Sequence, residues 1–157
     1  VSHNMKKILL IIPILLILFS CQKKYSEKEE VESTLKSIFE NFDNPNFESF
    51  KKISTERVYC KSCFENKNLT EEHYKIDREH FFKKFIQIIP ELYIYKEGKK
   101  STELKIVNEN NNWSDITAYL IILKKGELEK NHKGERLGIY LKRENRQLKF
   151  TGIELIP

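Results

Sequence analysis

Cys60-Lys61-Ser62-Cys63 is the segment whose residue types and spacing carry the most chemistry. Two cysteines at i and i+3 serve three purposes. In a turn, their Cα atoms come within the ~4.4–6.8 Å that a disulfide requires. With one thiol depressed below the ~8.5 of an ordinary cysteine, they form a redox couple. As thiolates they supply half of a tetrahedral zinc site, for which His73 and His80 are the nearby imidazoles. On one continuous helix those two histidines lie about 10.5 Å apart along the axis, at ~1.5 Å rise per residue. Zinc–nitrogen bonds measure only ~2.0–2.1 Å, so a shared ion requires an irregular segment there. A metal centre is therefore disfavoured, and no cofactor is expected.

Asp77-Arg78-Glu79-His80 offers a carboxylate and an imidazole at i and i+3, the spacing at which Asp77 orients His80 as a general base. The same pattern fits a plain helix start, with Asp77 as cap and Glu79 paired to Lys83 on the solvated side. Tyr93, Tyr95, Trp113, Tyr119 and Tyr140 are expected on strands, where polar-tipped aromatics suit the lining of a ligand cavity. Strands are also where aromatics are ordinarily enriched. No nucleophile–base pair or phosphate loop accompanies these residues.

The N-terminal stretch speaks about place. Met5-Lys6-Lys7, the apolar run Ile8 to Phe19, then Ser20-Cys21 follow one another. The run is short of the ~20 residues that span ~30 Å of hydrocarbon and fits the ~7–15-residue apolar core of an export signal. Leu18-Phe19-Ser20-Cys21 resembles the lipobox of bacterial lipoproteins of the Bacteroidetes type. The resemblance implies a signal peptide over 1–20, with 1–4 an over-extended start, and a diacylated Cys21 followed by a tether over 21–25. It places the protein at the cell envelope, the outer membrane ahead of the inner, with the membrane as a partner through the lipid. With Cys21 acylated, Cys60 and Cys63 remain as an even pair in an oxidising compartment, which favours a disulfide. The redox and zinc readings stay open beside it.

The net charge of +5 and pI near 9.0 point, for an exported chain, to anionic lipid or polysaccharide surfaces and not to nucleic acid. The lysine pairs are scattered among glutamates, so an ordinary mixed-sign surface accounts for most of that charge.

The elements that position these residues form one domain over 26–157. Ser26 and Glu29 make a capping box. Val31, Leu35, Ile38, Phe39 and Phe42 then form the apolar stripe of a helix that ends before Pro45. Phe47, Phe50 and Ile53 mark a short second helix capped by Asn46. Phe82, Phe85, Ile86 and Ile89 mark a third, closed by Pro90 and started at Thr70 or Asp77. Beyond Pro90 the apolar period changes to two. Strands are expected at 92–95, at 104–107, at 113–123, around Leu137, Ile139 and Leu141, and at 149–156. Gly98-Lys99-Lys100 and Glu144-Asn145-Arg146 read as turns, and Gly152 as a bulge.

The class is α+β, N-terminal helices on a curved antiparallel sheet. The order helix, short helix, brief strand Arg57-Val58-Tyr59, long helix and meander ending in Lys149-Phe150-Thr151-Gly152-Ile153-Glu154 resembles the nuclear transport factor 2-like, or cystatin-like, roll. The resemblance implies a cone-shaped pocket between sheet and long helix. It also implies a sheet face that a second subunit can cover, giving a homodimer through the sheet. Three functions compete: a binding or accessory lipoprotein; a small isomerase or hydratase using Asp77, His80 and a strand tyrosine; and an envelope immunity or inhibitor protein. The small-molecule or protein partner is unspecified by any motif.

Overall fold

The computed structural model describes residues 26–64, 69–109, 111, 113–124 and 134–157. The signal segment, Cys21 and the tether lie outside the described residues.

Helix α1 spans Glu27–Asp43. Its start is the expected capping box: the Ser26 amide donates to Glu29 Oε2 at 2.8 Å, and Ser26 Oγ accepts from the Glu29 amide at 3.3 Å. The Ser26 amide, and then its hydroxyl at 3.0 Å, donate to the Glu29 carboxylate and hold it below its usual range. Val31, Leu35, Ile38 and Phe42 are buried along one stripe. Helix α2, Phe47–Ile53, is capped by Asn46 Oδ1, which accepts from the Ser49 amide at 2.9 Å. The chain passes straight into strand β1, Ser54–Cys60, then a 3-10 turn at Lys61–Cys63 and another at Glu71–Tyr74. The three-residue strand β2, Lys75–Asp77, leads into helix α3, Arg78–Lys84. Asp77, not Thr70, caps it.

Two expectations fail after this point. The third helix ends at Lys84 instead of running to Ile89, and residues 85–88 turn before a 3-10 segment at Ile89–Glu91. The buried positions explain the break. Phe81, Ile86 and Ile89 fill the core, and a five-residue step from Phe81 to Ile86 would leave a regular helical stripe. The turn at Phe85 brings the chain back, while Phe82 packs against Phe47 with ring centroids 5.2 Å apart. Residues 92–95, expected as strand, belong instead to helix α4, Tyr93–Lys100. Tyr95 and Gly98 are its buried positions, a helical step of three. Gly98 is therefore no turn. A Cβ there would stand 2.5 Å from Leu137 Cβ, so the missing side chain lets α4 lie directly on the sheet.

Strands β3, Leu104–Asn108, β4, Ile116–Leu123, β5, Glu135–Glu144, and β6, Gln147–Ile156, complete one six-stranded sheet in the order β2-β1-β6-β5-β4-β3. β4 starts three residues later than expected, because Asn111 Oδ1 accepts from the amides of Trp113 (3.1 Å) and Ser114 (2.7 Å) and holds them in a turn. The β5–β6 hairpin turns through Asn145 and Arg146, both with positive φ (50° and 66°), the geometry whose twist matches paired strands. Tyr140 pairs with Gly152 and Leu141 with Phe150, so Thr151 is the extra residue of the expected bulge. The sheet is mixed, not purely antiparallel. β1 runs parallel to β6, a pairing that no local pattern announces.

The helices cover one face. Phe150 from β6 stands at its centre, with ring centroids 5.5 Å from Phe42, 5.8 Å from Phe50 and 5.9 Å from Phe81. All four rings are buried. The centre of the space that the roll resemblance assigned to a pocket is occupied by these rings, and a depression of about 580 Å³ remains at its edge, lined by Leu35 and Phe39 of α1, Lys99 of α4, Leu104 and Leu120.

Candidate functional site

Polar aromatics gather on the opposite face. Alternation along β1 sends Val58 to the helices and Thr55, Arg57 and Tyr59 the other way. Tyr140 of β5 joins them, since Tyr59 and Tyr140 both pair with Gly152. Gly152 is required at this crossing: a Cβ would meet the Tyr59 carbonyl oxygen at 2.6 Å. Tyr59 and Tyr140 are only 8% and 6% exposed. Trp113 lies parallel to Tyr59 at 4.3 Å between centroids and nearly perpendicular to Tyr140 at 4.5 Å. Tyr74 meets Tyr59 edge-on at 6.0 Å, and Phe64 meets Tyr74 at 5.7 Å. The cover on this side is thus the chain's own connections, β1 to β2 and β3 to β4.

The β1–β2 connection begins at the cysteines. Cys60 and Cys63 are disulfide-bonded with Cα atoms 5.4 Å apart. Their turn is docked on the sheet through Ser62 Oγ, which accepts from the Leu155 amide at 3.2 Å. The Lys61 ammonium stands 5.9 Å from the centroid of Tyr74.

Beside Trp113 the surface opens into a cleft of about 370 Å³. Its buried members are Tyr59, Thr55 and Thr151, the two hydroxyls 3.1 Å apart. Its rim carries charges of both signs: Arg57, Lys75 and Lys142 against Glu56 and Glu144. Arg57 and Lys75 both bind Glu72, the latter at 2.8 Å. Those contacts, Lys75 first, hold the Glu72 carboxyl below its usual range.

The tyrosines are held neutral. Burial first, then the charges of Glu154 and Glu71 and neighbouring Tyr74, push the Tyr59 phenol up to about 12. Tyr140 is pushed up further by burial and by donating its proton to the Glu154 carboxylate in a hydrogen bond. Tyr119 is raised chiefly by burial, despite the Arg136 guanidinium 4.9 Å from its ring. Phenols poised this way donate hydrogen bonds near neutrality and do not serve as bases.

Of the five aromatics expected to line a pocket, only Trp113 reaches the cleft, with Tyr140 supporting it from below. Tyr119 shares the face but sits beyond the cluster. Tyr93 points to solvent, 61% exposed, and Tyr95 is locked in the helix-side core against Phe39 and Phe42. Asp77 and His80 are exposed on α3 and take no part. Asp77 Oδ1 accepts from the backbone amides of Glu79 (2.9 Å) and His80 (3.2 Å), and Lys83 binds Glu79 at 2.6 Å. His73, in its own turn, contacts Thr70 Oγ1 at 2.6 Å. Among the described residues no three histidine, cysteine or acidic side chains gather to hold a metal, and no helix is long and apolar enough to cross a membrane. Sequence reasoning missed Tyr59, Tyr74, Thr55 and Thr151. The i, i+2, i+4 alternation of Thr55, Arg57 and Tyr59 was the signal available.

No family model matches the sequence, and no curated protein matches it. Among solved structures, the chain is similar to a multiply substituted protein designated Rd1NTF2_05, at 12% identity and a TM-score of 0.41, with 82% of this chain and 98% of that one covered. It is also similar to a de novo designed protein with a curved β-sheet, at 15% identity and a TM-score of 0.35, covering 82% of this chain and all of that one. The architecture itself, α-helices packed on one face of a six-stranded mixed sheet, is α+β.

Proposed function

We propose that this chain is a binding module of the bacterial envelope, anchored through Cys21, that recognises its ligand in the Trp113 cleft and performs no chemistry there. One observation carries the reading. The centre of the helix side is filled by phenylalanine rings, and a depression of about 580 Å³ at its edge beside Leu35, Phe39 and Leu104 holds no buried polar side chain. The cleft on the opposite face instead joins the buried hydroxyls of Thr55 and Thr151 to an indole. Reactive sites are recognised by convergent nucleophile, base and orienting groups. Here the cleft's carboxylates stand at its rim among cations, and no histidine or cysteine is among its described lining residues. The isomerase or hydratase reading loses its support, because Asp77 is spent on a helix cap and His80 stands in solvent.

Two measurements test the proposal. The sequence contains one tryptophan, so Trp113 emission reports on the cleft without labelling. Small polar fragments added to the lipid-free domain should shift that emission together with the backbone amide resonances of Thr55 and Thr151. Steady turnover of a substrate, abolished by a cleft substitution, would overturn it. For the anchor, Cys21→Ser should leave an unprocessed precursor without acyl chains, since stable anchoring needs more than one buried chain. A variant that is still cleaved before position 21, or that still incorporates labelled acyl chains, ends the lipoprotein assignment.

A further inference from the structure

We infer that the cleft takes an uncharged saccharide, an inference that rests on the binding reading above and gives it a ligand class. Three properties of the cleft lead there.

The first is its aromatic floor. Tyr59 backs one face of the Trp113 indole and Tyr140 stands nearly perpendicular to it, so the ring is fixed by its neighbours before any ligand arrives. The rest of the indole lines the cleft. A pre-positioned indole offers a flat apolar platform that loses little conformational freedom on binding. A pyranose ring presents one face of C–H groups that fits such a platform, with hydroxyls around its perimeter.

The second is the hydrogen-bonding inventory. Thr55 and Thr151 supply buried hydroxyl oxygens that accept, since Thr55 Oγ1 donates its proton to the Arg57 carbonyl at 2.6 Å and the Thr151 hydroxyl meets Thr55 Oγ1 at 3.1 Å. At the rim, Glu56 and Glu144 only accept, while Arg57 and Lys142 only donate. A sugar hydroxyl is both donor and acceptor, so a rim of alternating kinds satisfies it in either sense. A ligand with acceptors alone would leave the carboxylates facing it unpaired.

The third is charge. An anion would require an excess of positive charge, yet Glu72 offsets the charge of Arg57 and Lys75 while leaving further guanidinium N–H groups to donate, and Glu56 and Glu144 face the same opening. A cation would meet three basic side chains. An apolar ligand would find little beyond the indole and Tyr59. A neutral polyhydroxylated ligand meets no like charge and carries no ionic desolvation cost.

The test titrates the lipid-free domain with neutral hexasaccharides (cellohexaose, maltohexaose and the chitin hexamer) and, in parallel, with inorganic phosphate and adenosine monophosphate. Trp113 emission and the amide resonances of β1 and β6 are the readouts. At least one hexasaccharide should bind saturably at or below about 1 mM, a range normal for a small site. Thr151→Val should then weaken it about fivefold, the loss of one net hydrogen bond. Arg57→Gln should weaken it by a similar factor, with the unfolding midpoint checked for each variant. If Thr151→Val unfolds the bulge, Arg57→Gln on the rim carries the test alone. Phosphate or the nucleotide moving the cleft resonances while every sugar fails would overturn the saccharide class and leave the cleft as a binding site. No movement with any probe would overturn both.

Discussion

The two faces of one sheet are built from different aromatics. Facing the helices, Phe42, Phe50, Phe81 and Phe150 close around one another with no hydroxyl among them. Facing outward, Tyr59, Tyr74, Tyr140 and Trp113 make a smaller cluster in which each of the four rings carries a polar atom, with Phe64 packed against it, covered by connections instead of helices. The difference teaches where recognition can reside. The phenylalanine rings pack to crystal-like density with no place for a guest among them, and the phenol on that side, Tyr95, is enclosed with them against Phe39 and Phe42. Rings with a polar end need partners, and the groups that satisfy them (Glu154 for Tyr140, the Leu69 amide for Tyr74) bring hydrogen-bonding capacity to the same surface.

The sharpest way to break this contrast is Phe150→Ala. Three ring contacts vanish at once from the helix side, and the expected loss is about 3–5 kcal/mol. Urea unfolding measures it. A loss under about 1 kcal/mol would mean that the helix-side core is far looser than its ring contacts imply. Alkaline pH tests the outward face instead. The Tyr59 phenol is raised in the fold to about 12 from an ordinary value of 10. Its contribution is therefore complete below pH 10 and lost as pH rises through about 12, because the unfolded chain gives up that proton first. Stability measured against pH should fall across that window, together with delayed tyrosinate absorbance near 295 nm. Unfolding whose pH dependence is flat from 10 to 12 would contradict the burial of these phenols.

Smaller effects sharpen the comparison further. Gly98→Ala inserts a Cβ where Leu137 already stands, and overpacking of this kind costs about 1–3 kcal/mol. It should lower the melting midpoint without moving Trp113 emission, since α4 lies on the other side of the sheet. Reduction with a dithiol should do the reverse. The loop closed by Cys60 and Cys63 is very short, so losing the bridge releases only about 2 kcal/mol of chain entropy by the loop-length relation. The change should concentrate at Phe64, Tyr74 and Trp113, read as a shift in indole emission with the helical circular dichroism retained. Native protein that contains two free thiols, one titrating well below the usual value for cysteine, would return the pair to the redox reading. Least of all, Asp77→Ala removes a helix cap worth about 1 kcal/mol and should leave cleft binding untouched. Loss of binding or of any turnover in that variant would restore Asp77 to a functional role.

Much of this fold was legible wherever the determinant was local. Ser26 with Glu29 announces a helix start, and the stripe from Val31 to Phe42 announces which side is buried. Asn145 marks the hairpin and Gly152 the bulge. Elements fixed by distant partners were not legible. Residues 92–95 alternate no better than they spiral, and only contact with Leu137 through Gly98 settles them as helix. The parallel pairing of β1 with β6 joins residues almost a hundred positions apart. For the site, residue type identified Trp113 and Tyr140, but type alone could not separate them from Tyr93 in solvent or Tyr95 in the core. Tyr59 carries no local signal of its role, because its partners Tyr74, Trp113 and Tyr140 arrive from three other parts of the chain.

That parallel pairing has a consequence for how the protein comes into being. β6 sits between β1 and β5 in space, yet it follows every other strand in the chain. As the polypeptide leaves the ribosome, β1 has only the three residues of β2 to pair with until Phe150 and Ile153 appear. Phe42, Phe50 and Phe81 are meanwhile synthesised without the ring around which they close. Contacts of such long sequence separation form slowly, and the apolar surface awaiting them stays open to other binders. β3, β4 and β5 can pair one after another as they appear, but the two halves of the sheet stay apart until β6 joins β1 to β5, and the helix-side core closes only then.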